Sequence, residues 1–277
     1  MTTKIFLNEH AEIIRLYKSG LSADKIAAQY EVTNGTIYHI LQKHHIIRRY
    51  RYVVDESFFD KINSEQKAYW LGFLYADGWI YRHGYTTQVG IEVNIQDILH
   101  LEKLRVALHS SHPLSYRTTR PMVRLTISNP KLVSGLIQHG MIQRKSLILS
   151  FPNWLASDLI RHFIRGYVDG DGSLCIASAP AWNGCQQPQL NIASSTKFLL
   201  GVRDYLHTIE GVGYPNPYHQ KGQKDIWAIL AYGGGGQVPI ILRHLYDGAT
   251  IYLDRKYAKA QSIIQQFSHK KKPQIRI

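Results

Sequence analysis

Only two cysteines, Cys175 and Cys185, occur in 277 residues. That excludes a disulfide scaffold and any cysteine-rich zinc module. The two could bridge a hairpin, but a pair in a reducing compartment more often stays reduced. No apolar run reaches a membrane-spanning length, and no charged-then-apolar leader opens the chain. The expectation is a protein of the cytoplasm, associated with the nucleoid, or of an organellar matrix, with no membrane partner and no secretion. Acidic residues are few: 20 Asp and Glu stand against 33 Lys and Arg, a formal charge of +13. Such an excess points to a polyanionic partner, nucleic acid first. Apolar residues make up 44%, enough for an ordinary core.

Residues 8–47 carry a helical unit. Ile13, Ile14, Leu16 and Tyr17 recur at helical spacing and Gly20 ends the helix. Ser22 caps a second helix with Ile26, Ala27 and Tyr30, and Asn34 caps a third with Ile37, Ile40 and Leu41. This is the helix-turn-helix pattern, with the third helix as reader. Its exposed candidates for DNA contact are Thr36, Tyr38, His39, Gln42 and Lys43. Arg48, Arg49 and Arg51 follow and would meet phosphates. His44 and His45 are adjacent, so they point to different faces and suit surface or phosphate contact better than a shared metal.

The rest of the chain repeats itself. Residues 64–80 and 157–174 both begin with a Ser in N-cap position and end in Asp-Gly. Gly72 matches Gly166, Asp77 matches Asp171 and Gly78 matches Gly172, all at one offset. Two copies suit a pseudo-twofold molecule rather than a solenoid. Gly72 and Ala76 lie four apart, as do Gly166 and Gly170, a spacing that lets two helix backbones approach closely. A mid-helix glycine costs about 1 kcal/mol relative to alanine, so its recurrence needs such a reason. Gly78 and Gly172 are placed for left-handed helix caps. Asp77 and Asp171 then sit at the negative ends of helix dipoles, where a carboxylate is disfavoured. Two of them together would repel, and a divalent cation relieves both problems. Their oxygens, with the free carbonyls of Ala76 and Gly170, suit Mg2+ or another hard divalent cation.

Trp70-Leu-Gly-Phe-Leu-Tyr-Ala-Asp-Gly78 and Ile164-Arg-Gly-Tyr-Val-Asp-Gly-Asp-Gly172 resemble the two signature helices of the LAGLIDADG homing endonucleases in their single-chain, two-motif form. The likeness covers roughly residues 64–267. The first copy departs at Tyr75, where the second has Asp169; that position is not the essential metal ligand in the family. The resemblance implies an α+β fold, a pseudo-twofold pair of αββαββα halves forming a DNA-binding saddle, with the small all-α helix-turn-helix domain added. Strand patterns at 79–81, 89–93, 123–127, 174–177, 189–193 and 226–230 agree with it, as do helical patterns at 99–108, 132–139, 197–208, 239–246 and 253–266. The division expected is 1–50 helix-turn-helix, 51–63 linker, 64–150 first repeat, 151–267 second repeat and 268–277 basic tail.

An Arg-Lys pair follows a helix-ending glycine in each half: Arg144-Lys145 after Gly140, and Arg255-Lys256 after Gly248. In the family a lysine here reaches toward the active site, so the resemblance makes Lys145 and Lys256 catalytic, orienting water or stabilising phosphate charge. Arg144 and Arg255 would contact phosphates or acids. Glu92 and Asn191, in the second strand of each half, resemble the family's water-positioning polar residue. The activity implied is metal-dependent hydrolysis of one phosphodiester on each strand of double-stranded DNA, at a long asymmetric site, by a monomer. Two other readings stand beside it: a helix-turn-helix transcription regulator retaining the fold, and an RNA-binding maturase whose partner is intron RNA. Gly233 to Gly236 is no phosphate loop, because no Gly-Lys-Ser/Thr follows.

Overall fold

The computed structural model describes residues 5–46, 49, 51–84, 86–145, 148–178, 184–219 and 227–267. Arg48 and the expected tail 268–277 lie outside these residues.

Three helices open the chain: α1 (His10–Lys18), α2 (Ala23–Gln29) and α3 (Asn34–Lys43). Gly20, at φ +111°, turns the chain after α1, and the Ser22 side chain accepts from Lys25 N to start α2. The cap of α3 is Thr33, one residue before the expected Asn34; its hydroxyl accepts from Thr36 N. Asn34 is already helical and donates its amide to Asp24 at 2.8 Å. Ile13, Tyr17, Ile26, Ile37, Ile40 and Leu41 form a small core of their own. His44 is exposed, and its ring meets that of His10 of α1, nitrogen to nitrogen at 3.0 Å.

The first half runs α4 (Glu65–Asp77), β1 (Gly78–His83), β2 (Thr86–Asn94), α5 (Ile98–Ala107), β3 (Leu114–Tyr116), β4 (Met122–Ile127) and α6 (Pro130–Gln138). Its strands make one antiparallel sheet in the order β1-β2-β4-β3. Three residues are too few to show a period, so β3 is not among the predicted elements. The second half runs α7 (Ser157–Asp171), β5 (Gly172–Ser178), β6 (Gln186–Ser195), α8 (Thr196–His207), β7 (Trp227–Gly233), α9 (Val238–Tyr246) and α10 (Asp254–Phe267). Among the described residues its sheet is β5-β6-β7, with an isolated bridge between Tyr218 and Ile229. Strand alternation sends Val89, Ile91, Val93, Val123 and Leu125 inward to the helices, and Leu190 and Ile192 do the same in the second half. The alternate residues face outward. Among the described residues no helix is long and apolar enough to cross a membrane. Cys175 lies opposite Gln189 in the ladder, four positions from Cys185, about 14 Å along a strand, and both thiols are free.

The halves meet at α4 and α7. A Cβ on Gly72 would stand 2.0 Å from the Phe163 carbonyl oxygen, and one on Gly166 would stand 2.0 Å from that of Tyr69. The helices therefore cross backbone to backbone. The expected Ser cap holds for α4, where Ser64 accepts from Lys67 N, but α7 already includes Ser157 and its cap is Ala156. Gly78 and Gly172 are not left-handed caps. Both are extended, at φ −76°, and pass each helix straight into a strand. Glycine is needed there for room: a Cβ would lie 2.6 Å from the Leu74 carbonyl in one case and 2.5 Å from the Val168 carbonyl in the other.

The stretch 51–63, expected as a linker, is attached to the core. Val53 exchanges bonds with Ser111, Asp55 N donates to Leu108 O, and Phe58 and Phe59 are buried. Two adjacent aromatics anchor a segment whose lack of periodicity hides the burial.

Gly72→Ala and Gly166→Ala should each lower stability even though alanine is the better helix former. Overpacking of this kind costs about 1–3 kcal/mol, more than the ~1 kcal/mol that alanine gains in propensity. Denaturant unfolding reads the sign, and a stabilised variant would mean that the helices do not cross this closely.

Candidate active site

The crossing carries Asp77 and Asp171 together at the C-termini of α4 and α7. Asp171 is half-buried, and Asp77 keeps a more exposed edge. Desolvation by the packed helices and then the facing charge of Asp171 raise the Asp77 carboxyl to about 6, against the pull of Lys145, Lys256 and Arg255. Burial raises Asp171 too, while Lys145, the Tyr167 hydroxyl and Lys256 pull it down. A Cβ on Gly170 would come 2.4 Å from the Ala76 Cβ and 3.1 Å from Asp77 Oδ2. The small residues at 76 and 170 thus let one helix's carboxylate lie against the other helix's backbone.

Each carboxylate has a buried lysine beside it. Lys145, on the segment after α6, donates to the Ala76 carbonyl at 2.9 Å. Lys256, in the first turn of α10, donates to the Val168 carbonyl at 3.1 Å and to that of Gly172. Burial lowers both ammonium pKa values, against the pull of the neighbouring carboxylates. The lysines supply positive charge where the helix dipoles are negative. The Ala76 carbonyl already holds an ammonium, which competes with a metal for it, and Lys256 takes the carbonyls on either side of Gly170.

Two side chains to which sequence analysis gave no role, Asp169 and Tyr75, hold those lysine segments in place. Asp169, fully buried, accepts from Tyr69 at 2.7 Å, from Tyr246 at 2.6 Å and from Leu253 N at 2.8 Å. The last bond fixes the entry to α10, three residues before Lys256. Tyr69 spends its one hydrogen on Asp169, so His100 Nε2, 2.9 Å away, must donate to it. Burial depresses the His100 pKa to about 3 and keeps the ring neutral. In the first half the matching position is Tyr75, whose hydroxyl donates to the His139 carbonyl at the entry to the Lys145 segment. A Tyr and an Asp perform one task at equivalent places.

Arg255 grips Asp97 with Nε 3.0 Å from each carboxylate oxygen, so it contacts an acid of the first half. Arg144 is exposed, at φ +60°. Glu92 is tied to two arginines: one carboxylate oxygen accepts from Arg117 at 3.0 Å and from Arg124 at 2.8 and 2.6 Å. Nor do Glu92 and Asn191 occupy matching places. Gly78 pairs with Ile91 and Gly172 with Ile192, so Asn191 corresponds to Gly90, and Glu92 to Ala193. A shift of two residues preserves the face and so escapes detection by alternation. Trp79 fills the space over Gly90, where a Cβ would stand 2.1 Å from its ring.

On α3, His39, Gln42 and Lys43 are exposed and Tyr38 is partly so, while Thr36 helps close the Thr33 cap. Arg49 is exposed, with its side chain laid against the helical unit. Its guanidinium lies 4.2 Å from the Tyr17 ring centroid and donates to Leu21 O at 2.5 Å. It clasps the helical unit, and Arg51 is exposed as well. A cleft of about 790 Å3 separates the unit from the outer face of the first sheet, with Tyr38, Arg51, Ser115 and Thr126 on its walls.

Among the described residues no three His, Cys, Asp or Glu side chains gather as a metal site. The donor set present is two carboxylates, hard oxygen ligands whose mutual repulsion a divalent cation would relieve, and on that chemistry it fits such an ion. Without one, the Asp77 carboxyl binds its proton more tightly in the folded chain than in the unfolded one. Ionising it then destabilises the fold: the penalty is absent below the ordinary carboxylate range and complete above about pH 6. Asp77→Asn should therefore be more stable than wild type near pH 8 in chelator, by about 1 kcal/mol at most, because solvent screens a partly exposed carboxylate. The advantage should fade from pH 6 to 4 and be offset by added Mg2+. A pH-independent difference in thermal unfolding would mean that Asp77 is not a strained carboxylate.

A family described as the helix-turn-helix domain of resolvase matches residues 4–44. Among curated proteins no sequence matches the chain. Among solved structures, the LAGLIDADG homing endonuclease I-LtrWI bound to target DNA is similar at 11% identity and a TM-score of 0.52, over 78% of this chain and 92% of that one. A double lysine-to-alanine mutant of I-SmaMI is similar at 12% identity and a TM-score of 0.51, over 74% of this chain and 90% of that one. The repeated part of this chain has the saddle fold of the LAGLIDADG homing endonucleases, and a helix-turn-helix unit precedes it.

Proposed function

We propose that this chain is a site-specific double-strand DNA endonuclease that uses a divalent cation and acts as a monomer. The observation that carries the reading is the meeting of Asp77 and Asp171 at one helix crossing, each with a buried lysine beside it. That arrangement strains the free protein and has no evident structural purpose. Asp77 and Asp171 would hold the cation, Mg2+ by its preference for oxygen. A cation there would supply Lewis-acid stabilisation of the scissile phosphates. Lys145 and Lys256 contribute fixed positive charge in a site of low dielectric, where it acts strongly on a phosphate anion. Because the two halves carry different residues on their outer faces, the site they read is asymmetric. The helix-turn-helix unit adds a contact at one flank through Gln42, Lys43 and Arg51, with Tyr38 and His39 on the same helix.

The test is cleavage of DNA carrying the uninterrupted insertion locus, with Mg2+ present. Asp77→Asn and Asp171→Asn should each abolish double-strand cleavage and leave binding nearly intact. Wild-type cleavage by both variants would overturn the catalytic assignment, and binding without cleavage by the unaltered protein would favour a regulator that keeps the fold.

Lys43→Ala tests the flank contact in the full chain. It should lower the steepness of log K against log salt by ~0.9, the loss of one phosphate neutralisation. Gln42→Ala should relax base preference at that flank only. An unchanged slope and preference would make the helical unit a packing module.

A further inference from the structure

The outward faces of the two sheets differ in chemistry. In the first, Glu92 on central strand β2 stands opposite Arg124 on β4, and Arg117 follows β3 on the same face. One carboxylate oxygen of Glu92 accepts all three of their bonds, Nε of Arg117 at 3.0 Å, and Nε and a terminal nitrogen of Arg124 at 2.8 and 2.6 Å. Arg124 also lies 5.7 Å from the Trp79 ring centroid. Arg124 thus commits one edge of its fork to Glu92. Arg117 commits only Nε, and both its terminal nitrogens remain available. Its side chain is 48% exposed, against 30% for Arg124, so it is the one that can reach beyond the surface. In the second sheet the outward positions of β5, β6 and β7 carry no charge. They present amides instead: Gln187, Gln189 and Asn191 in a row along β6. The Gln189 oxygen accepts a long bond from the Cys175 thiol at 3.8 Å, which leaves its NH2 group free to donate.

An ion pair of this kind on a solvent-facing sheet adds little stability, a median of about 0–1 kcal/mol. What it does fix is orientation. A guanidinium held at Nε presents its terminal nitrogens as a rigid fork, which matches O6 and N7 of guanine in the major groove; a carboxamide matches N6 and N7 of adenine.

Building on the endonuclease reading above, we propose that the two halves read different bases. Arg117, oriented by Glu92, reads guanine under the first sheet, and Gln189 reads adenine under the second. Glu92 is then a positioning residue for base recognition. It touches no reacting atom, and it offsets part of the excess positive charge that would bind any sequence.

The experiment is selection of bound duplexes from a randomised pool by the full-length protein, followed by sequencing. The expected consensus has a guanine on one side of its centre and an adenine on the other. Arg117→Gln should erase the guanine preference alone, a loss of roughly 5- to 150-fold at that base pair, the range one bidentate contact provides. Glu92→Gln should flatten the same position although Arg117 is kept; an ion pair that only stabilised the sheet would leave base preference unmoved. Gln189→Leu should erase the adenine and spare the guanine. If Arg117→Gln weakens all sequences equally, the guanidinium binds phosphate and the inference is wrong. If a consensus emerges that none of the three variants changes, the inference fails while site-specific binding stands. If the pool yields no consensus, site-specific binding itself fails.

Discussion

The crossing of α4 and α7 is the constraint on which the rest depends. Two glycines, Gly72 and Gly166, let each helix rest on a backbone carbonyl of the other, at distances no side chain would permit. Because the contact is backbone to backbone, no rotamer change can relax it. The ends of both helices are fixed with it. Asp77 and Asp171 therefore meet not through any attraction of their own but because the packing upstream leaves them no alternative. The strain in the site, visible in the raised carboxyl of Asp77, is sustained by apolar burial along the rest of the two helices.

Around that axis each half secures its lysine with a different chemical device. In the second half the buried Asp169 gathers two tyrosine hydroxyls and the Leu253 amide. In the first a single Tyr75 hydroxyl reaches the His139 carbonyl. Buried Arg165 adds a further tie, from Glu65 of the first half to the carbonyls of Leu245 and Ile251 in the second. On the surface, Arg255 with Asp97 and Lys103 with Asp254 pin the start of α10 to the first half. Lys256 is thus placed by contacts that cross the interface, and a change that parts the halves would move it together with the carboxylates.

The departures from twofold likeness concentrate where sequence recognition would occur. Helix crossing, carboxylates and lysines are paired, whereas the outer sheet faces are not. Trp79 over Gly90 in one half corresponds to Ser173 beside Asn191 in the other, and a buttressed arginine cluster corresponds to uncharged positions. A reaction performed identically on two strands needs equal machinery twice. Reading an asymmetric site needs two unlike surfaces on it.

The sequence by itself determined the repeat, the mid-helix glycines, the terminal acids, the helix-turn-helix period and most strands, because each rests on spacing within one segment. Asp77, Asp171, Gly72 and Gly166 were legible for that reason, and the two lysines through the family likeness. Tertiary structure decided what depends on partners distant in the chain. It turned Gly78 and Gly172 from caps into extended links, and folded Arg49 onto Tyr17. It committed Glu92 to two arginines and made Asp169 an anchor between halves. It also drew the supposed linker into the core through Phe58 and Phe59. Local spacing fixes which face of an element a side chain occupies, but a hydrogen-bond partner dozens of residues away is chosen only when the two halves close on each other.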